Sequence, residues 1–291
     1  MIEDNEFYWK LLDTLEDGVY FANEKKTITY WNKAAEEITG YKSAEVLGKS
    51  CEDKILVHID EKGKDLCTGL CPLGNAIKNQ LPYEANIFLL HKGGYRVPVH
   101  VRVNPIINSK GGVMGAVEIF SHRSSKDIIN KRFKSLGDEN FTDPIVKLPN
   151  QSYLQMNLKT RFFEFRNYEW PFGILYIKIS TEQGRTTPMK TQNFEEVLKI
   201  AGESFLNTLN PYDIIGRWGP DEFLGIFINV DQKRLEEIDE FYQVILGRAN
   251  FSSTGFNISI FTGATLGQQD DQENTILERA KSTLKKVEIS K

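Results

Sequence analysis

Two groups of residues have types and spacing that could do chemistry. Asp221 and Glu222 are adjacent carboxylates in DIIGRWGPDEFLGIFI, residues 213–228. Apolar runs flank Gly219, Pro220, Asp221 and Glu222, which predicts a hairpin with both acids at its tip. Adjacent carboxylates on a turn are more often solvated than catalytic, so the pair does not identify an activity by itself. The second group is Cys51, His58, Cys67 and Cys71, three soft ligands and an imidazole. Such a set suits tetrahedral zinc or iron, although three residues, not the usual two, separate Cys67 from Cys71. Residues 72–80 read as a short helix with Pro72 at its first position. That places Cys71 at a helix N-terminus, where a thiolate is favoured, so thiol redox chemistry is a second option. The third is that these are buried small or polar residues with no chemistry.

The elements that must position these groups fall into two halves. In the first, residues 7–15 predict a short helix and residues 18–22 and 27–31 two strands. Asn32 is placed to cap a helix that Gly40 ends, and Ser43 to cap a second that stops at Gly48. Residues 83–91, 95–103 and 113–121 then alternate as strands; Val97, Val99, Val101 and Val103 share one face and imply a sheet buried on one side. His91, His100 and His122 lie on these strands and read as solvent-facing. Residues 124–137 carry Ile129, Phe133 and Leu136 at i, i+4 and i+7 on a charged background. That narrow seam predicts either a helix that pairs two protomers or a solvated linker helix. In the second half, helices are predicted through 167, over 193–209, over 232–246 capped by Asp231, and over 273–287. They alternate with strands at 172–180, in the hairpin and at 256–266, an arrangement expected to give a mixed sheet covered by helices.

The run DGVYFANEKKTITYWNKAAEEITGYKSAEVLGKS and the strand order that follows resemble a PAS domain, a family that binds small ligands between sheet and short helices or serves as a dimerisation module. RWGPDEF resembles the signature hairpin of the GGDEF family, whose members join two GTP molecules into cyclic di-GMP, and DPIVKLPNQSYL resembles that family's opening motif through Asp143, Leu148 and Asn150. The resemblance implies an α+β or α/β chain of two domains: a PAS sensor over 1–123, a helical linker over 124–141 and a GGDEF domain over 142–291.

Carried over position by position, the family's chemistry erodes. Lys178 stands where the family's metal-binding aspartate is expected, in KISTEQG, and Ser180 where a second aspartate is. Magnesium takes oxygen ligands, and an ammonium about 4 Å away would repel it by roughly 4 kcal/mol per unit charge at an effective dielectric near 20. Lys178 is expected to pair with Glu222 or Asp221, in preference to reaching a phosphate. Thr186 and Glu195 fall at the guanine-reading positions, and Pro220 replaces a glycine and removes a backbone N–H. Glu288 replaces a phosphate-contacting lysine. Asn210 stands in place of the arginine of the product-inhibition motif that ends at Asp213. Arg217, Gly219, Pro220, Thr186, Glu195 and Lys178 thus outline a vestigial GTP site, with Asp221 and Glu222 as vestigial catalytic acids.

The charge balance of 36 basic to 40 acidic residues, net −4, provides no basic field for nucleic acid. No apolar run approaches the roughly 18 residues of a membrane helix. The expectation is a cytoplasmic, bacterial-type signalling protein, homodimeric through the PAS domain and linker. Its GGDEF domain has lost cyclase activity and works through a protein partner or GTP; zinc or iron at the cysteines is open. The rival is an active diguanylate cyclase using GTP and magnesium at a modified site.

Overall fold

The computed structural model describes residues 5–68, 71–123, 139–181 and 188–289. The chain divides into two compact units, Met1–Ser124 and Ser125–Lys291. The predicted connector helix and Thr186 lie outside the described residues.

In the first unit, α1 (Asn5–Leu12), β1 (Gly18–Asn23), β2 (Ile28–Trp31), α2 (Lys33–Thr39) and α3 (Ser43–Val46) precede α4 (Pro72–Asn79), β3 (Tyr83–Leu90), β4 (Arg96–Ile107) and β5 (Val113–His122). The strands form one antiparallel sheet in the order β2-β1-β5-β4-β3. Asn32 explains much of the local geometry. Its buried side chain accepts from Ala35 N at 2.8 Å, capping α2, and from Val19 N at 2.9 Å, while its amide donates to the carbonyls of Leu12 and Asp17. One side chain thereby joins α1, β1 and α2. The four β4 valines are buried as their alternation requires. Ser43 is the first residue of α3 and not its cap, and α1 stops three residues short of the predicted end. His91 departs from the solvent-facing expectation: its ring stacks on Tyr95 at 4.2 Å and lies against Gly40, whose φ of +75° and lack of a Cβ permit both the turn and the contact. His100 lies between Asn86 and Glu84, and His122 is exposed.

The second unit contains α5 (Gln151–Tyr168), β6 (Phe172–Thr181), α6 (Pro188–Thr208), β7 (Ile214–Arg217), β8 (Glu222–Ile228), α7 (Gln232–Gly247), β9 (Ile258–Leu266), α8 (Glu273–Ser282) and β10 (Lys285–Lys286). Asn150 and Asp231 cap α5 and α7 by accepting from Tyr153 N and Arg234 N. The sheet order is β10-β9-β6-β8-β7. Sheet and covering helices are as expected, but every pairing is antiparallel, where alternation of elements suggested a mixed sheet. The order β6-α6-β7-β8-α7-β9 is a split βαβ arrangement. β8 inserts between β6 and β7, and β6 between β8 and β9, so parallel strands are never neighbours.

On one sheet face, Phe172, Ile174 and Tyr176 of β6 pack with Leu154, Leu158 and Phe162 of α5 and with Ile276, Leu277 and Ala280 of α8. On the other, Phe205 of α6 meets Phe223 of β8 and Tyr242 of α7 at ring distances of 5.1 and 5.6 Å. The last helix ends at Ser282, five residues before the predicted 287. Lys285 and Lys286 instead pair with Thr262 and Phe261, and Val287, buried, donates its N–H to Ile260 O at 2.8 Å. Covering the open edge of β9 outweighs helical propensity there.

Candidate functional site

The hairpin closes with proline in it. Trp218 N and Gly219 N both donate to Glu222 O, at 2.8 and 3.2 Å, and Ile179 N donates to Asp221 O at 2.8 Å, tying the tip to the end of β6. Arg217 organises the turn from beneath. Its Nε donates to Gly219 O at 3.1 Å, Nη2 to Pro220 O at 3.0 Å, and Nη1 to Asp143 Oδ2 at 3.1 Å. Asp143 Oδ1 in turn accepts from the N–H groups of Ile145 and Val146. The opening motif is thus part of the hairpin's support. Gly216 completes the contact: a Cβ there would lie 2.3 Å from Pro149 O, which accepts from Arg217 N. Both partners of the Arg217–Asp143 pair are largely buried, with side chains 15% and 13% exposed. Arg217→Ala is therefore expected to cost about 2 kcal/mol, strands two hairpin carbonyls, and should speed amide exchange in β7 and β8 first.

Lys178 pairs with Glu222 across the β6–β8 ladder, on the sheet face that carries Tyr176. Among the described residues, no ion pair joins it to Glu222, one of the two partners expected from the sequence. The physical reason is the direction of Glu222, whose carboxylate folds back over Gly219, within 2.7 Å of where a Cβ would be. Burial, then the Glu222 hydrogen bond and the charges of Glu222, Asp221 and Glu278, push the Tyr176 hydroxyl well above its ordinary pKa. From α8, Lys281 Nζ sits 5.4 Å from the centre of the Tyr176 ring and 3.3 Å from Glu278 Oε1. Three carboxylates and the Lys281 ammonium thus surround Tyr176. Glu195 is half-buried on α6, and Glu288 is exposed beyond β10. Asn210 turns its amide to Asp213 at 3.1 Å.

A second concentration of chemistry lies inside the first unit, around a residue that the sequence analysis did not single out. Glu118 of β5 is 1% exposed on the inner sheet face. Its Oε2 accepts from Tyr20 Oη at 2.8 Å, and its Oε1 is 3.4 Å from His58 Nε2. Tyr20, His58, Cys67, Cys71 and Glu118 share a cavity of about 20 Å³. Burial pushes the Glu118 carboxyl up to about 8 against the Tyr20 hydrogen bond. Burial, then the Arg96 charge, holds the His58 imidazole down at about 4. Burial thus favours the neutral form of both groups. Burial raises the Cys67 thiol to about 11. Cys71 caps α4 as predicted, its Sγ accepting from Gly74 N at 3.4 Å. The structure brings three of the four sequence-predicted ligands to one cavity; the Cys51 side chain lies outside the described residues. Among the described residues, no three such groups converge closely enough to hold a metal ion as the structure stands. The missed signal was parity: Glu118 alternates with Ala116 and Phe120, the buried positions of β5.

Residues 140–290 match the family model described as diguanylate cyclase, GGDEF domain, which is more than half of the chain. The chain belongs to the GGDEF family. Ahead of its GGDEF domain, residues 16–125 match a PAS domain model. Together the two matches give a PAS domain followed by a GGDEF domain. Among curated proteins, the human high affinity cAMP-specific and IBMX-insensitive 3',5'-cyclic phosphodiesterase 8A is 26% identical over 132 residues, 45% of this chain and 15% of that protein; the chain thus spans a small part of that relative's length. Among solved structures, a PAS domain from Colwellia psychrerythraea is 22% identical, covering 40% of this chain and 94% of that one, with a TM-score of 0.34. The coiled coil and GGDEF domain of DgcB from Caulobacter crescentus, in complex with c-di-GMP, is 15% identical over 54% of this chain and 84% of that one, with a TM-score of 0.44. No helix among the described residues is long and apolar enough to cross a membrane.

Proposed function

We propose that the PAS domain controls a GGDEF domain that no longer makes cyclic di-GMP and that regulates through a protein partner or through GTP held without turnover. The observation that carries this reading is Lys178. It occupies the sheet position opposite Glu222, where the family resemblance expects a carboxylate, and it offers an ammonium in place of an oxygen ligand. Lys281 adds a second ammonium on the same side. Glu222 is turned back over Gly219, and the Gly219 N–H is taken by Glu222 O, while Pro220 has no N–H to offer a phosphate. The residues present therefore do not fit the magnesium of two-metal phosphoryl transfer, and no catalytic step is assigned through it.

We further infer a cytoplasmic homodimer, paired through the PAS domain and connector. Exposed Phe7, Tyr8 and Leu11 on α1, 60%, 58% and 51% accessible, support a face made for pairing. One observation favours the rival reading of an active cyclase: the hairpin is closed and keeps Asp221 and Glu222. The deciding experiment incubates the purified protein with GTP and magnesium or manganese and looks for cyclic di-GMP by mass spectrometry, with Glu222→Ala as control. No product from folded protein is expected. Product that disappears in the control overturns the reading. A GTP-dependent rise in melting temperature without product identifies GTP as the effector; no shift leaves a protein partner.

A further inference from the structure

The interior of the PAS domain contains two polar atoms that nothing among the described residues satisfies. His58 Nε2 and Glu118 Oε1 have no hydrogen-bond partner, and their residues are 5% and 1% exposed. Leaving a buried polar group unpaired costs about 1–3 kcal/mol each. The two atoms are 3.4 Å apart. That separation is the edge of a tetrahedron whose ligands lie about 2.1 Å from a central ion. They face a cavity of about 20 Å³, too small for an organic ligand and large enough for a single atom. Two more walls of that cavity are the thiols of Cys67 and Cys71.

We propose that the PAS domain binds one borderline-soft divalent ion, zinc or ferrous iron, through His58 Nε2, Glu118 Oε1 and the sulfurs of Cys67 and Cys71. The donor set, one nitrogen, one oxygen and two sulfurs, is one that zinc and ferrous iron accept and magnesium does not. The surrounding groups orient the ligands. Tyr20 Oη holds Glu118 Oε2, which leaves Oε1 directed at the ion. Leu66 N donates to His58 O at 2.9 Å and Asp65 Oδ1 accepts from Cys67 N at 2.7 Å, so the segments bearing His58 and Cys67 are joined. Cys71, at the N-terminus of α4, has a backbone N–H to support a thiolate. On binding, Glu118 and both thiols lose their protons to solvent as the metal–ligand bonds form. The sulfurs must close on the His58–Glu118 edge as the ion enters, because the three do not converge without it; metal sites are commonly completed by their metal. The inference concerns the sensor domain and stands whether or not the GGDEF domain turns GTP over.

The test uses the full chain, purified without oxygen and stripped with a chelator. It is then titrated separately with zinc, ferrous iron and cobalt(II), the cobalt reporting thiolate ligation by a charge-transfer band. Expected is one ion per chain and the thiolate band in the wild type. Glu118→Gln, which keeps the Tyr20 contact, Cys67→Ser and Cys71→Ser should each lose more than roughly 100-fold in affinity, beyond the roughly 10- to 100-fold expected for the outer-shell change Tyr20→Phe. Circular dichroism confirms that each variant is folded. Folded wild type without stoichiometric ion overturns the proposal. So does wild-type affinity in Glu118→Gln with loss in Cys51→Ser, which would assign the fourth position to Cys51.

Discussion

Asp271→Ala is expected to destabilise the GGDEF domain by about 3–5 kcal/mol, the cost of breaking a buried charge pair from one side. Asp271 is 3% exposed, in the turn between β9 and α8. Both of its oxygens accept from Arg279, Oδ1 at 2.8 Å, and they also take Gln268 N at 2.7 Å and the Thr275 hydroxyl at 3.1 Å. Arg279 reaches onward to Leu266 O and Thr265 Oγ1, while Arg166 of α5 donates to Asp271 O. Alanine would leave a guanidinium without its counter-charge and take the carboxylate away from the Gln268 N–H and the Thr275 hydroxyl. Hydrogen exchange should show β9 and α8 losing protection together. The same residue sets an acid limb. Burial pushes its carboxyl up, but the Arg279 hydrogen bonds, the Gln268 N–H and the Arg279 charge outweigh that and hold it below the ordinary carboxylate range. Its stabilisation is complete above the unfolded value near 3.9 and is lost as pH falls through the lower folded one. Asp271→Asn should flatten that limb.

Gly115→Ala is expected to cost the PAS domain about 3 kcal/mol or more. Gly115 has φ +146° at the β1–β5 pairing with Asn23, and an added Cβ would lie 2.0 Å from Ala22 O. The obstacle is backbone, so no rotamer change relieves it, and the dihedral is one that L-residues avoid. Gly48, with φ +80° and nothing near its missing Cβ, is the comparison: Gly48→Ala should cost only about 1 kcal/mol. Thermal unfolding of the two variants separates crowding from backbone strain. Tyr20 and Glu118 are on the same two strands, so the Gly115 variant should also weaken any ion held at Glu118.

Local chemistry was legible where one side chain decides the outcome. Asn32, Asn150 and Asp231 cap helices because an oxygen acceptor at that position satisfies an N–H that the helix cannot, and the order of residue types states it. The hairpin at 219–222 was equally plain. What the sequence did not reveal depends on partners distant in the chain. β8 inserting between β6 and β7, which makes the sheet antiparallel throughout, follows from three-dimensional packing, as does the turn from helix to strand after Ser282. Lys178 and Glu222 are neighbours as expected, but the Glu222 carboxylate folds back over Gly219, and among the described residues no ion pair joins the two. Glu118 had the parity of a buried position; His58, Cys67 and Cys71 could be grouped from spacing, yet only the sheet shows that a carboxyl lies beside them.

Arg217 grips Asp143 with one nitrogen and the carbonyls of the hairpin turn with the others. The chain enters the GGDEF domain at Asp143's end, where Asn150 N also donates back to Phe141 O. Considered as a mechanical linkage, the point of entry and the hairpin tip are two ends of one short lever with a guanidinium as its pivot. If a ligand seizing the tip stiffens the doorway, a pull at the doorway changes the grip at the tip by the same free energy.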